Sequence, residues 1–134
     1  MAPAILDPRS LHRALLARQL LLERAGVSIP AAVERVGCLQ TQYAPAGYVA
    51  LRSRLEAFER DDLTRALERK RVVQAWVMRS TIHVATPRDY WWGSAGVRRA
   101  RREGWVRAFR RDARDGTRAA ERVARFLRDE GPRR

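Results

Sequence analysis

The sequence predicts a mainly helical α+β fold, a bundle of about five to six helices with one β-hairpin. Apolar residues recur at intervals of three and four through most of the chain, and the interval becomes two only between Val72 and Ala85. Capping residues, prolines and glycines separate these segments. With 134 residues, of which 46% are apolar and 32% charged, the chain can bury the modest core of one ordinary domain.

The first helix is predicted to begin at Asp7-Pro8, because an acidic N-cap followed by proline is typical of a helix start. It is expected to run to about Arg24 and to end at Gly26. Leucines fall on both of its sides, so the pattern predicts a helix covered on two faces, at the centre of a bundle. These leucines are Leu11, Leu15, Leu16, Leu20, Leu21 and Leu22.

The second helix is predicted to begin at Ser28, with Val33, Val36 and Leu39 facing inward. A third is predicted from the spacing of apolar residues between Tyr48 and Phe58. A fourth, shorter helix follows.

That fourth helix is predicted to surround Leu63, Ala66 and Leu67. Asp61 or Asp62 supplies its cap, which accounts for this acidic pair better than a catalytic role does.

The period of two predicts a hairpin whose tip is Arg79-Ser80 and whose second strand runs from Thr81 to Ala85. Trp76 and Met78 are predicted to pack in the core of this hairpin. Helices followed by such a hairpin are typical of a winged-helix fold.

The C-terminal part is predicted to be helical. Thr86-Pro87 predicts a helix start, and Gly96 and Gly104 are points where that helix bends or splits. Thr117 predicts the start of the last helix. We expect residues 1–86 to form a first winged-helix unit and residues 87–134 a basic helical extension.

The charge of the chain favours a polyanionic partner, most simply nucleic acid. Its net charge is +13, and all but Lys70 of its 28 basic residues are arginine. A GC-rich genome, which enriches arginine without any binding role, remains an alternative explanation. The densest basic run, with Trp105 and Phe109 interleaved, comprises Arg98, Arg99, Arg101, Arg102, Arg107, Arg110, Arg111 and Arg114.

Several function classes find no support. One cysteine, Cys38, excludes an internal disulfide, and its distance from His12 and His83 gives no zinc signature. No glycine-rich phosphate loop occurs, so no cofactor is expected. The first six residues are too short for a signal peptide and no apolar run approaches about 20 residues, which favours a cytoplasmic, nucleoid-associated protein.

Two amides flank one residue at Gln40-Thr41-Gln42, directly after the apolar positions of the second helix. If that helix continues, Gln40 shares the buried-facing stripe of Val33 and Val36. Burying an unpaired amide costs about 1–3 kcal/mol, so the pair needs partners there. It either fixes a buried turn or lines a site that holds water or phosphate.

The segment from Trp76 to Val84 reads Trp-Val-Met-Arg-Ser-Thr-Ile-His-Val. Together with Leu39-Gln40-Thr41-Gln42, it resembles the tandem winged-helix DNA glycosylases, which release alkylated bases and unhook interstrand crosslinks. The resemblance covers about Ala14 to Trp92. It implies hydrolysis of an N-glycosidic bond, and alkylated or crosslinked double-stranded DNA as the partner. Members of that family carry several such units, so we expect this chain to be an N-terminal portion, with residues 87–134 starting a truncated following unit.

The resemblance implies that Gln40 and Gln42 orient the attacking water. In the hairpin, Arg79 is a candidate for binding phosphate or entering the minor groove, and His83 for a contact with the DNA backbone. The alternatives are an exposed tip arginine and a strand histidine bonded to backbone. The candidate recognition helix from Ala46 to Leu55 offers Arg52 and Arg54. Arg98, Arg99, Arg101 and Arg102 are candidates for phosphate contacts.

The sequence is also compatible with two other interpretations. The chain is alternatively a non-enzymatic winged-helix regulator that binds DNA through the third helix. It is also compatible with a structural helical module whose arginines reflect genome composition.

Overall fold

A computed structural model describes residues 7–109 and 113–131 of the chain. The described residues form six α-helices and one small three-stranded antiparallel sheet, an α+β winged-helix-like arrangement that confirms the predicted fold class. A short 3₁₀ turn at Met78–Ser80 joins the last two strands. The elements are α1 (Pro8–Arg18), α2 (Ile29–Val36), β1 (Leu39–Gln40), α3 (Ala46–Arg52), α4 (Arg60–Glu68), β2 (Val73–Trp76), β3 (Ile82–Ala85), α5 (Pro87–Phe109) and α6 (Ala113–Glu130).

The sheet has the strand order β1-β3-β2, so β3 is its central strand. The predicted hairpin is confirmed, with Trp76 opposite Ile82 and Val73 opposite Ala85. Strand β1 adds to the other side of β3, with Gln40 opposite His83. The chain segment that carries the glutamines is therefore an edge strand of the hairpin sheet.

The chain separates into two compact units, one up to Gly96 and one from Val97 onward. The first unit has a continuous apolar core between α2, α3, α4 and the sheet. Full burial of one aliphatic side chain contributes roughly 1.5–3 kcal/mol, so this cluster supplies most of the unit's stability. Its buried members are Ile29, Ala32, Val33, Leu39, Leu51, Leu55, Phe58, Leu63, Ala66, Val72 and Val84.

The first helix is shorter and more exposed than the sequence predicts. Helix α1 ends at Arg18, because Leu20 adopts φ 55° and the N–H of Leu21 donates to the carbonyl of Leu16. The chain then pairs with the segment after α3, where the N–H of Ala25 donates to the Arg54 carbonyl at 2.7 Å. This tertiary pairing overrides the local helix preference.

The prediction that both faces of the first helix are covered is also wrong. No residue of α1 is buried, and Leu11 and Leu15 are 46% and 52% exposed.

The third helix also ends earlier than predicted, at Arg52. Leu55 and Phe58 nevertheless lie in the core, since the loop after α3 carries them there in an irregular conformation. Helix α4 begins with Glu59 as its N-cap residue, and Asp62 accepts the Glu59 N–H at 2.8 Å. Asp62 therefore caps the helix from its first turn, because its carboxylate accepts the backbone N–H of the N-cap residue.

The second unit comprises the C-terminal part of α5 and α6. Helix α5 passes through Gly96 and Gly104 without a break, and α6 begins at Ala113, earlier than the predicted start at Thr117. Arg102 donates to the Thr117 hydroxyl at 3.1 Å. None of the side chains described from residue 97 onward is buried.

Candidate active site

The glutamine pair does not lie on a helix. Helix α2 ends at Val36, because Gly37 and Cys38 take φ 75° and 96° and turn the chain out of the helical path. Gln40 is the last residue of strand β1. The expectation that Gln40 shares a buried-facing helix stripe is therefore wrong, and both Gln40 and Gln42 are exposed.

Gln42 is anchored to the hairpin. Its Oε1 accepts the backbone N–H of Ile82 at 3.0 Å, next to the bond from the Thr41 N–H to the Ile82 carbonyl at 2.8 Å. The side-chain carbonyl thus extends the ladder between β1 and β3. Because a backbone N–H can only donate, the contact fixes the amide orientation of Gln42 and leaves its NH₂ group directed elsewhere.

Thr41, between the two glutamines, is buried and only 2% exposed. Its hydroxyl accepts the Nε2–H of Gln74 from β2 at 3.0 Å, a bond that spans the width of the sheet. Its methyl group packs under α3, where a Cβ added at Gly47 would lie 2.9 Å from Thr41 Cγ2. Thr41 therefore fixes the strand segment from which both glutamines project.

The hairpin tip carries Arg79 on an exposed turn, where Arg79 and Ser80 adopt φ 49° and 57°. His83 is only 3% exposed, and its Nδ1 lies 2.8 Å from the Thr81 carbonyl. The carbonyl only accepts, so Nδ1 is the donor in this contact. The structure thus shows the strand histidine bonded to backbone, on the same sheet face as Gln40, its cross-strand neighbour.

Trp76 and Met78 do not form the hairpin core. They are 50% and 45% exposed, whereas Val77 between them is buried at 1%. The alternation of the strand was correctly predicted, but the larger side chains occupy its outward positions.

Arg52 and Arg54 both bond to the backbone of their own region. Arg52 donates to the Phe58 carbonyl at 2.9 Å and lies 3.8 Å from the Glu59 carboxylate. Arg54 donates to the Ala50 carbonyl at 2.9 Å. Burial lowers the pKa of the Arg54 guanidinium from its ordinary value.

The four candidate phosphate-binding arginines lie on α5 in the second unit. Arg98, Arg99 and Arg102 are exposed and Arg101 is half-buried. Arg99 pairs with Glu103 at 2.8 Å, four residues along the helix. Arg110 and Arg111 of the same run lie outside the described residues.

The surroundings of Cys38 do not favour a nucleophilic thiolate. Burial raises the pKa of its thiol, and the nearby Asp89 carboxylate adds to the rise. A raised pKa disfavours the reactive thiolate.

The model of the family described as "DNA glycosylase AlkZ-like" matches residues 33–134. No curated protein and no solved structure matches the chain. None of the helices in the part of the chain described by the structure is long and apolar enough to cross a membrane.

The matched range includes the glutamine pair, the hairpin and most of the basic residues. It spans well over half of the chain. The chain belongs to the AlkZ-like DNA glycosylase family.

Proposed function

We propose that this protein hydrolyses the N-glycosidic bond of alkylated bases in double-stranded DNA, including crosslinked bases, and that Gln40 and Gln42 orient the attacking water. One observation carries the proposal. Two exposed amides flank a buried threonine on an edge strand, and one of them is held in a fixed orientation by the Ile82 N–H.

The chemistry suits uncharged amides. A base alkylated at a ring nitrogen, such as N7-alkylguanine, carries a positive charge and leaves as a neutral molecule. A strong general acid is therefore not needed, and the enzyme has to place water at the sugar C1′ and stabilise a cationic transition state. An amide offers one carbonyl acceptor and two N–H donors for this purpose.

The two glutamines have different groups to offer. The carbonyl of Gln42 is already occupied by the Ile82 N–H, so its remaining NH₂ group is suited to donate to a phosphate. Gln40 is exposed and retains a carbonyl that can accept from a water. Within the pair, Gln40 therefore contacts the water directly, and Gln42 donates to the DNA backbone and so fixes the sugar relative to that water.

The DNA contacts in this proposal come from arginines that are exposed, except for the half-buried Arg101. Arg79 occupies the hairpin tip, three residues before the Ile82 that anchors Gln42. Arg98, Arg99, Arg101 and Arg102 supply sequence-independent phosphate contacts, which make binding weaken with salt by about 0.9 log units per phosphate per log unit of salt. Arg52, Arg54 and His83 have mainly a structural role, because each bonds to nearby backbone.

The test is excision of 7-methylguanine from duplex DNA under single-turnover conditions, with DNA affinity measured in parallel. Gln40→Ala is expected to reduce the excision rate constant about 10²-fold, the usual cost of removing a positioned polar group, and to leave DNA affinity within about threefold. Gln19→Ala is the matched control, since Gln19 is an exposed glutamine at the end of α1. Equal rates for the Gln40 variant and the control would contradict the proposal.

A second function, non-enzymatic DNA binding, is favoured by the structural use of Gln42. An amide whose carbonyl completes a β-ladder has a sufficient role without catalysis. Under this alternative the wild-type protein binds duplex DNA and releases no base, and Gln42→Ala lowers stability alone.

A further inference from the structure

An open groove of about 870 Å³ lies between α3 and the start of α4. Its apolar side chains include Pro45, Val49 and Phe58. Val49 is 67% exposed although it is aliphatic. The volume is in the range of small-molecule and nucleotide sites, which is roughly 300–1,000 Å³.

Three arginines line this groove, and they differ in how they are engaged. Arg52 is held by the Phe58 carbonyl and lies near Glu59. Arg24 and Arg60 are exposed, and neither forms an ion pair with a residue in the described ranges 7–109 and 113–131. The groove therefore presents two positive charges that no carboxylate of the described chain neutralises.

Aromatic rings accompany these charges. The Arg60 guanidinium lies 6.0 Å from the centre of the Tyr48 ring, at the distance of a cation–π contact. Tyr43 is 74% exposed and links Gln42 to the groove-lining Ala44. Two residues span at most about 7 Å, so the groove begins close to the glutamine pair.

Apolar surface, an exposed ring and unneutralised arginines together fit a polymer of phosphates and planar bases. A duplex keeps the faces of its bases stacked inside, whereas an unpaired strand exposes them to side chains. We propose that this groove binds an unpaired stretch of a DNA strand, with phosphates at Arg24 and Arg60, one base against Val49 inside the groove and another against the exposed Tyr43 that precedes the groove-lining Ala44. The inference deepens the proposed function, because it rests on DNA as the partner, but it does not depend on bond hydrolysis.

The experiment measures the affinity of the full chain for a fluorescent oligothymidylate of about 12 nucleotides by anisotropy at one fixed salt concentration. Arg24→Glu and Val49→Glu are expected to weaken binding about tenfold or more. Tyr43→Ala is expected to weaken it about fivefold and Tyr43→Phe to retain wild-type affinity, since only the ring is required. All three positions are exposed, so each variant is expected to fold, and circular dichroism is the check.

Arg13→Glu is the matched control. Arg13 is exposed on α1 and outside the groove, and its replacement changes the net charge by the same amount as Arg24→Glu. If both variants weakened oligothymidylate binding equally, the effect would come from the net charge of the protein and not from the groove, and the proposal would be overturned. Displacement of the oligonucleotide by oligoglutamate as effectively as by unlabelled oligothymidylate would assign the groove to acidic peptides and overturn it too.

This outcome is separable from that of the proposed function. Gln40→Ala is expected to bind oligothymidylate as the wild type does, so a failure of base excision leaves the groove inference standing. Conversely, the wild-type protein could excise bases while the groove variants bind oligothymidylate with unchanged affinity. That result would refute the groove inference and leave the proposed function standing.

Discussion

The unit up to Gly96 buries many of its apolar side chains, whereas the unit from Val97 onward leaves those that the structure describes at least partly exposed. In the first, α2, α3, α4 and the sheet enclose a core whose central residue Leu51 is fully buried. In the second, no described side chain is buried, and Phe126 and Leu127 are 47% and 45% exposed. Arginine is denser in the second unit, which has 14 arginines among 38 residues, against 13 among the 96 residues of the first.

The apolar core that stabilises the fold lies in the first unit, whereas arginine is most concentrated in the second. The glutamine pair projects from a strand whose neighbours Leu39 and Thr41 are buried in the first unit, so its geometry depends on that core. The arginines of α5 beyond Val97 need no buried surroundings to contact phosphates. Truncating an apolar side chain should therefore lower the free energy of unfolding strongly in the core of the first unit and only slightly in the second unit.

Truncating one leucine in each unit is expected to give the largest contrast. Leu51→Ala removes a fully buried side chain and should lower the free energy of unfolding by about 2–5 kcal/mol. Leu127→Ala, the same change on an exposed helix face, should cost less than about 1 kcal/mol. Urea denaturation followed by circular dichroism measures both, and equal losses would show that α6 packs as tightly as the core.

Glycine substitutions in α5 compare the two units within one helix. A Cβ at Gly93 would collide with Cγ1 of the buried Val77, so Gly93→Ala should destabilise the protein by about 1–3 kcal/mol. A Cβ at Gly104 meets no neighbouring atom in the described chain, and Gly104→Ala should stabilise the protein by about 0.4–1 kcal/mol. Thermal melts that shift in the same direction for both variants would contradict this contrast.

Two threonine hydroxyls offer a smaller and more specific comparison. Thr41→Val removes the buried acceptor of the Gln74 amide and should cost about 1 kcal/mol. Thr117→Val removes an exposed acceptor of Arg102 and should cost less than about 0.5 kcal/mol. Only the Thr41 variant is expected to slow base excision, because Thr41 fixes the strand that bears the glutamines. Unchanged excision in that variant would remove the positioning role.

The smallest expected effect is an acid-dependent loss of stability in the first unit. The Glu59 N–H, with Arg65 contributing, holds the pKa of Asp62 below its ordinary value of 3.8. A carboxyl whose pKa is lower when folded stabilises the protein above the unfolded pKa, and that contribution disappears as the pH falls through the folded value.

Asp62→Asn should therefore make stability less dependent on pH below about 4. Melting temperatures of this variant and of the wild type between about pH 2 and 6 measure this, and identical profiles for the two proteins would refute the assignment.

The hairpin could be predicted from the sequence because its alternation is local and spans consecutive residues. The winged-helix-like class followed from that alternation and the helix periodicity together with the resemblance to the tandem winged-helix glycosylases. The end of α1 could not be predicted, since the left-handed Leu20 is stabilised only when Ala25 pairs with the distant Arg54.

The glutamine pair was recognised by its residues but placed on the wrong element. A left-handed turn at Gly37-Cys38 converts an apparent helix stripe into an edge strand. The groove was not predicted, because Arg24 and Arg60 lie far apart in sequence and no local pattern joins them.

The pH dependence of base excision tests most directly whether amides orient the water. Glutamine does not titrate near neutrality, so the single-turnover rate constant for release of 7-methylguanine is expected to vary less than about threefold between pH 6 and about 9. A steep limb in that range, with a midpoint typical of a carboxylate or a histidine, would show that a titrating base activates the water and would contradict the role proposed for Gln40 and Gln42.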